Sequence, residues 1–114
     1  MQPAQRRQGA RYLVLPEELE RFRRDGWVHL EGVLSEEELA PLEQVYGRFL
    51  RREIEVPGKD FCDMSGDYRR PLEDFAVVNV MLPRRYHPPL AGNLYERRAA
   101  AIAEQLCGAD LVID

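Results

Sequence analysis

Apolar residues along the chain recur at helical spacing in three segments, and the first of these is the shortest. It begins at Pro16, carries glutamates early and arginines late, and is followed by Gly26. Proline suits the first turn of a helix, acids and bases at these ends complement the helix dipole, and glycine readily adopts the left-handed conformation after the last turn. The pattern predicts a short helix over residues 16–25.

The second segment has the longest apolar stripe. Ser35 and Glu38 have the spacing of a capping box, in which each side chain bonds the backbone N–H of the other residue. Apolar residues then recur every three or four positions: Leu39, Leu42, Val45, Tyr46, Phe49 and Leu50. One apolar face of this kind predicts a helix from about Glu36 to Arg52.

The third helix is predicted between Asn93, a good N-cap residue with Glu96 three positions later, and Gly108. Its apolar face comprises Leu94, Tyr95, Ala99, Ile102, Ala103 and Leu106. Cys107 is interpreted as a buried, small apolar residue at the end of this helix.

Strand patterns lie between the helices. Residues 27–34 alternate apolar and polar positions, which predicts a half-buried strand with a bend or bulge at Gly32. Residues 75–82 are almost all apolar and rich in valine, which predicts a buried strand. Residues 111–113 are apolar and predict the start of a further strand. Trp27 and Tyr46 are interpreted as core residues.

The intervening residues 55–74 are polar, contain prolines and glycines, and predict a long loop. The loop contains five potential cation ligands: Asp60, Cys62, Asp63, Asp67 and Glu73. They lack the order of a calcium-binding loop, so a solvated loop is the preferred interpretation over a cation site. Covering an active site is a further role that such a long loop can have.

Composition limits the class of protein. The 114 residues suit one domain or part of one, and a net charge of -4 gives no electrostatic footprint for nucleic acid. No apolar run has the length of a membrane span, and no signal peptide is evident. Cys62 and Cys107 form no CxxC motif, so reduced thiols and a cytoplasmic location are predicted.

The first eleven residues are polar and terminal, and they predict a disordered lead-in before a domain beginning at residue 12. A mitochondrial presequence is the alternative for this segment, because it carries arginine without acidic residues. It lacks serine and an apolar face, which argues against that alternative.

The run from Leu15 to Gln44 resembles the opening of phytanoyl-CoA dioxygenase-like proteins. The matching features are, in order, a short helix ending in Asp25-Gly26, an aromatic residue at Trp27, and a strand. The sequence Gly32-Val33-Leu34-Ser35 and the capped acidic turn of a long helix follow. Within this ordered set the matching residues are Phe22, Asp25, Gly26, Trp27, Val28, Gly32, Val33, Leu34, Ser35, Glu38 and Leu39.

The resemblance implies an α+β fold comprising the N-terminal helices and first strands of a truncated double-stranded β-helix, or jelly roll. It implies an Fe(II)- and 2-oxoglutarate-dependent dioxygenase that hydroxylates a small molecule or acyl thioester. The family's H-x-D pair, distal histidine and distal arginine are expected beyond Asp114. The 114 residues of this sequence are therefore not expected to bind iron or 2-oxoglutarate by themselves. Asn79 is the position here that could reach the cosubstrate.

Two alternatives stay open. In the first, the chain is a stand-alone, non-catalytic binding or scaffold module derived from that fold. In the second, His29, Glu31 and His87, with Arg97 or Arg98 nearby in sequence, form a 2-His-1-carboxylate metal site. The short spacing of His29 and Glu31 suits one strand face, but a solvent-facing side of that strand accounts for it equally.

His87 also ends a basic segment, Arg84-Arg85-Tyr86-His87, which could contact an anion such as a carboxylate or a phosphate. The preferred interpretation is a basic turn exposed to water. A small-molecule substrate is the only partner that the resemblance implies, and the oligomeric state stays open.

Overall fold

The structure, a computed structural model, describes residues 1–65 and 71–111. Within these ranges the elements are α1 (Pro3–Arg6), β1 (Arg7–Gln8), β2 (Arg11–Tyr12), α2 (Pro16–Asp25), α3 (Glu36–Leu50), β3 (Phe61–Asp63), β4 (Val78–Val80), α4 (Pro83–Tyr86) and α5 (Leu94–Cys107). Single 3-10 turns cover Gly58–Asp60, Leu72–Asp74 and Pro88–Leu90. No helix in the described part is long and apolar enough to cross a membrane.

The chain divides into two compact units. Met1–Leu39 and the described residues from Gly92 onward form one, here called the terminal unit. Ala40–Ala91 form the other, the central unit. The terminal unit contains the β1–β2 hairpin, α2 and α5, and the central unit contains most of α3 and the antiparallel pair of β3 and β4.

The three predicted helices are present as α2, α3 and α5, with α3 ending at Leu50 rather than Arg52. The capping box is formed: the Ser35 N–H donates to Glu38 Oε1 at 2.9 Å, and the Glu38 N–H donates to Ser35 Oγ at 3.1 Å. Gly26 ends α2 in the left-handed conformation, with φ +82°. These ends follow from local backbone chemistry, which is why the sequence predicts them well.

The strand predicted over residues 27–34 is wrong, since these residues form irregular backbone. Side chains from other elements, rather than a neighbouring strand, bond three successive carbonyls. Tyr12 Oη donates to the Glu31 carbonyl at 2.6 Å, Arg7 Nη1 donates to the Gly32 carbonyl at 2.7 Å, and Arg98 Nη1 donates to the Val33 carbonyl at 2.7 Å. The alternation of apolar and polar residues cannot reveal that side chains distant in sequence donate hydrogen bonds to these carbonyls.

Gly32 is required by its surroundings. Its φ is +66°, and a Cβ at this position would lie 2.7 Å from Pro3 Cβ. Gly26 also has a positive φ, of +82°, but a Cβ there would meet nothing within 4 Å. A side chain at Gly26 would meet only backbone strain, whereas a side chain at Gly32 would meet both backbone strain and a steric clash.

Replacing Gly32 with alanine is expected to destabilise the protein by about 2 kcal/mol, against about 1 kcal/mol for Gly26→Ala. The left-handed backbone penalises both substitutions, and the clash with Pro3 adds to the first. Urea denaturation followed by circular dichroism measures both values. Equal losses for the two variants would contradict a close approach of Pro3 to Gly32.

The strand predicted over residues 75–82 is shorter than expected. Only Val78–Val80 form β4, which pairs with β3, and the flanking apolar residues Val77, Met81 and Leu82 are about half exposed. Leu82 has a left-handed backbone, with φ +55°, before the proline that begins α4. This turn ends the extended backbone. The partner strand β3 lies within the stretch predicted to be a loop.

Residues 1–11 differ from the disordered lead-in that their composition predicts. They form α1, β1 and the start of β2, and Arg6 is buried. Its guanidinium lies 4.5 Å from the centre of the Tyr12 ring, donates from Nε to the Leu13 carbonyl at 3.0 Å, and forms an ion pair with Glu18. A polar, terminal segment is therefore ordered by one buried cation with three partners.

Tyr12 and Val14 form the apolar centre of the terminal unit, and the amide of Gln105 on α5 holds them there. Gln105 Nε2 donates to the Tyr12 carbonyl at 2.7 Å, and the Val14 N–H donates to Gln105 Oε1 at 2.8 Å. One side-chain amide thus satisfies two backbone groups that a neighbouring strand would otherwise bond.

Arg98 on α5 connects three parts of the terminal unit and is 2% exposed. Its guanidinium donates to both carboxylate oxygens of Glu38, at 2.8 and 2.7 Å, and to the Gly9 carbonyl at 2.9 Å from Nη2. A further donation reaches Val33, as described above. A planar fork with five N–H donors suits such a set of acceptors. Arg98 therefore joins α5, the hairpin and the first turn of α3.

The expected burial of Trp27 and Tyr46 is wrong, because they are 67% and 62% exposed. Trp27 lies in the irregular segment after α2, which has no sheet to cover it. Tyr46 lies on the side of α3 next to its buried face, where Phe49 is 4% exposed. Of the strand predicted at residues 111–113, Leu111 has no regular structure, and residues 112–114 lie outside the described part of the chain.

Candidate functional site

A half-open cavity of about 240 Å³ lies in the central unit. The apolar face of α3 forms one wall, and β4 with the residues after it forms the other. Its lining residues are Leu42, Val45, Tyr46, Phe49, Leu50, Val78, Asn79, Val80, Pro83 and Leu90. The stripe that predicts α3 therefore lines a cavity as well as the core.

Asn79 is the polar residue that β4 contributes to this cavity. It lies directly opposite Cys62 in the β3–β4 register, and its Nδ2 donates to Cys62 Sγ at 3.8 Å. Cys62 Sγ in turn donates to Met64 Sδ at 4.0 Å, so the sulfur acts as an acceptor towards the Asn79 amide. Asn79 Oδ1 makes no hydrogen bond within the described part of the chain. An acceptor therefore remains available at an otherwise apolar wall.

The electrostatic character of the cavity is neutral. Among the described residues that line it, none is charged, and the polar side chains are Asn79 and Tyr46. Burying an unpaired charge in such surroundings is unfavourable. A dicarboxylate such as 2-oxoglutarate needs cationic or multiple N–H donors, which the described lining does not supply. The assignment of Asn79 to cosubstrate binding therefore stays a prediction from the resemblance.

The residues of the alternative metal site belong to different units. His29 and Glu31 border a second cavity of about 430 Å³ in the terminal unit, together with Arg6, Arg21 and Asp25. His87 belongs to the central unit, where its N–H donates to the Pro83 carbonyl at the end of α4. No group of three or more His, Cys, Asp or Glu side chains in residues 1–65 and 71–111 is placed to hold a metal ion.

The basic segment before His87 is exposed at Arg84 and Arg85, in line with the preferred interpretation as a solvated turn. Tyr86 points elsewhere: its hydroxyl donates to Asp60, which raises the pKa of that tyrosine. The contact ties α4 to the residues just before β3. One of the acidic residues in the predicted loop therefore has a structural partner.

Asp63, a second of these acidic residues, is 0% exposed. One of its carboxylate oxygens, Oδ1, accepts from Ser65 Oγ at 2.6 Å, from the Ser65 N–H at 2.9 Å and from the Val77 N–H at 3.1 Å. These hydrogen bonds, led by that from the Ser65 hydroxyl, lower the pKa of Asp63 to about 2. Asp63 therefore anchors the end of the β3–β4 pair and is not arranged as a cation ligand. Asp67 lies outside the described residues.

The two cysteines have opposite surroundings. Cys62 is buried between Asn79 and Met64, whose Sδ lies 4.0 Å from Cys62 Sγ. Cys107 is exposed, so its interpretation as a buried residue is wrong. The last turn of α5 carries it on the side away from the terminal unit's centre.

Stability is expected to fall between about pH 4.5 and pH 2. The hydrogen bond from Arg98, followed by that from the Ser35 N–H, lowers the pKa of Glu38 from 4.5 to about 2. The pKa of Asp63 falls from 3.8 to about 2. Carboxylates with lowered folded-state pKa values stabilise the fold fully above their ordinary pKa and lose that contribution as the pH falls through the folded value.

Urea denaturation at a series of pH values measures this dependence. Glu38→Gln keeps a capping side chain but cannot titrate, so its stability is expected to change less over this pH range than that of the unsubstituted protein. An identical pH profile for the two proteins would contradict the role assigned to Glu38.

Arg98 is one of the buried residues that the sequence analysis missed, because it was considered there only as a possible partner of a metal site. A signal is present in the sequence. Arg98 lies four residues after Leu94 and four before Ile102, on the apolar face of α5. An arginine within an apolar stripe indicates a buried carboxylate or carbonyl partner. Which acceptors it meets depends on the tertiary fold.

In comparisons with known proteins, no protein-family model, no curated protein and no solved structure matches this chain.

Proposed function

We propose that the chain is the N-terminal part of a jelly-roll, Fe(II)- and 2-oxoglutarate-dependent dioxygenase of the phytanoyl-CoA dioxygenase type. The parent enzyme hydroxylates a small molecule or an acyl thioester. Its iron ligands and the arginine for the cosubstrate lie in polypeptide outside these 114 residues. The proposal extends to a cytoplasmic enzyme that acts on a small-molecule substrate.

The observation that carries the proposal is the ordered set of motif residues between Leu15 and Gln44. Of the features in that set, the structure has the short helix, the left-handed Gly26 and the capped long helix, whereas residues 27–34 are irregular and do not form the strand that the resemblance places there. Gly32, one of the matching residues, is at a position where a side chain would clash with Pro3. Gly26, Gly32 and the capping pair of Ser35 and Glu38 each have a physical reason for their residue type, which supports treating them as parts of one motif.

The coding sequence after the Asp114 codon provides the first test. We expect an open frame that encodes H-x-D followed by a distal histidine and arginine. The extended protein, supplied with Fe(II), oxygen, 2-oxoglutarate and a panel of acyl thioesters and small apolar acids, is then expected to form succinate. Replacing the H-x-D histidine with alanine is the matched control and is expected to abolish succinate formation.

The 114-residue chain serves as the second control. It is expected to form no succinate under the same conditions, because its described residues do not assemble a metal triad. A stop codon directly after Asp114, or succinate formed by the 114 residues alone, would contradict the proposal.

A stand-alone binding or scaffold module is the second candidate, and the terminal unit favours it. Side chains of α5 bond backbone groups about ninety residues away in sequence, as in the pairs of Arg98 with Gly9 and Gln105 with Tyr12. Such contacts give this unit internal connections of its own. Cooperative thermal unfolding of the 114-residue chain is the expected result for a module, whereas a chain that binds ANS without a cooperative transition would exclude it.

A further inference from the structure

We propose that the cavity between α3 and β4 binds a small, uncharged and largely apolar molecule that carries one hydrogen-bond donor. This inference requires neither iron nor 2-oxoglutarate and goes beyond the dioxygenase proposal. It depends on three properties of the central unit: the size of the cavity, the neutrality of its lining, and the acceptor on Asn79.

The size of the cavity limits the ligand to a small ring or a short chain. A dry apolar cavity of about 150 Å³ already holds a benzene molecule. The present cavity, of about 240 Å³, has room for a ring with one or two substituents. Val45, Leu42 and Leu90 are half-buried, so a ligand removes more of their apolar surface from water.

Because the described lining of the cavity is uncharged, it favours an uncharged ligand. A charged ligand loses hydration on entry, and the described lining residues offer it no counter-charge. A neutral ligand avoids that cost. Charge complementarity therefore favours an uncharged molecule over a carboxylate or an amine.

The acceptor on Asn79 favours a ligand whose polar group is a hydrogen-bond donor. Its Nδ2 is engaged by Cys62 Sγ, while its Oδ1 has no partner in the described part of the chain. Cys62 lies opposite on the paired strand and donates its own S–H to Met64 Sδ, so its sulfur favours the Nδ2 end of the amide. An unengaged carbonyl oxygen accepts a hydrogen bond from a hydroxyl or an N–H.

Titration of the 114-residue chain with three matched probes, followed by ¹H–¹⁵N NMR at pH 7, tests the proposal. 4-Ethylphenol has a donor and no charge, ethylbenzene lacks the donor, and 4-ethylbenzoate is charged. We expect saturable shifts for 4-ethylphenol, with a Kd on the order of 1 mM. The shifts are expected at the amides of Val45, Phe49, Asn79 and Val80 and not at that of Gln105.

Ethylbenzene is expected to bind about fivefold more weakly, and 4-ethylbenzoate at least about tenfold more weakly. Equal binding of 4-ethylbenzoate, shifts that do not saturate, or shifts spread over both units would overturn the proposal. This comparison uses the unsubstituted protein and so does not depend on the folding of any variant.

Two substitutions locate the site further. Val45→Phe fills the cavity and is expected to weaken 4-ethylphenol binding at least about tenfold. Asn79→Leu is expected to remove the preference for 4-ethylphenol over ethylbenzene. Val77→Ala, on an exposed residue next to β4 that does not line the cavity, is the matched control and is expected to leave binding unchanged.

Unchanged binding in a folded Val45→Phe protein would overturn the proposal. These results are separable from the dioxygenase proposal, because no experiment here uses metal, cosubstrate or additional polypeptide. Binding of 4-ethylphenol with no dioxygenase motif downstream would support this inference alone, and the reverse outcome would support only the dioxygenase.

Discussion

Replacing Arg98 with alanine is expected to destabilise the protein by about 3 kcal/mol, because it leaves a carboxylate and two carbonyls without their shared donor. Small domains have only about 5–15 kcal/mol of stability in total, so the loss is a large fraction. The carbonyls of Gly9 and Val33 and the carboxylate of Glu38 come from three separate parts of the terminal unit. Without Arg98 these three parts lose their common hydrogen-bond partner, so the loss of stability is expected to affect the whole terminal unit.

Urea denaturation of Arg98→Ala, with Arg97→Ala as the matched control, measures the effect. Arg97 is the exposed neighbour of Arg98 on the same helix, and its replacement is expected to change stability by less than about 0.5 kcal/mol. Arg98→Lys is expected to fall between the two, since a single ammonium cannot reproduce the fork. Equal stabilities of the two alanine variants would show that Arg98 does not connect these elements.

The pKa of Glu38 provides a second readout of the same substitution. Arg98 is the largest cause of its lowered value, so Arg98→Ala is expected to raise that pKa from about 2 towards the ordinary 4.5. The Ser35 N–H still donates to Glu38 in the variant and should keep part of the shift. Carbon-detected NMR of the Glu38 carboxyl over pH measures it, and an unchanged pKa would contradict the ion pair.

Replacing Asp63 with alanine is expected to open the β3–β4 pair. The substitution leaves the Ser65 and Val77 N–H groups without their acceptor at a position with no exposed surface. Asp63 Oδ1 bonds both a residue just after β3 and the residue before β4, so its loss removes the hydrogen bonds that hold this end of the pair together. Hydrogen exchange at the Met64 and Met81 amides, which bond across the pair, is expected to accelerate at least about tenfold.

Asp74→Asn is the matched control for Asp63→Asn, the more conservative form of this substitution. Asp74 is an exposed acidic residue in the 3-10 turn that precedes β4, and its replacement is expected to leave amide exchange unchanged. Asp63→Asn keeps the volume and loses the charge, so faster exchange in that variant alone would assign the effect to the carboxylate. Protection retained in both Asp63→Ala and Asp63→Asn would contradict the anchoring role of Asp63.

The cavity was accessible to sequence reasoning only in part. The apolar stripe of α3 predicts one buried face, and residues 75–82 predict an apolar partner for it. The pairing of Cys62 with Asn79, which fixes the amide at the cavity wall, requires a strand in a stretch that reads as a loop. Three residues of β3 carry too little periodicity to predict a strand.

The sequence by itself determined the helices α2, α3 and α5, the capping box at Ser35 and Glu38, and the left-handed end at Gly26. These features depend on spacing and on backbone chemistry within a few residues. Only the tertiary structure decided that residues 27–34 are irregular, that the first eleven residues are ordered, and that Arg98 and Asp63 are buried. Each of those outcomes depends on hydrogen-bond partners from distant parts of the chain, which no local pattern specifies.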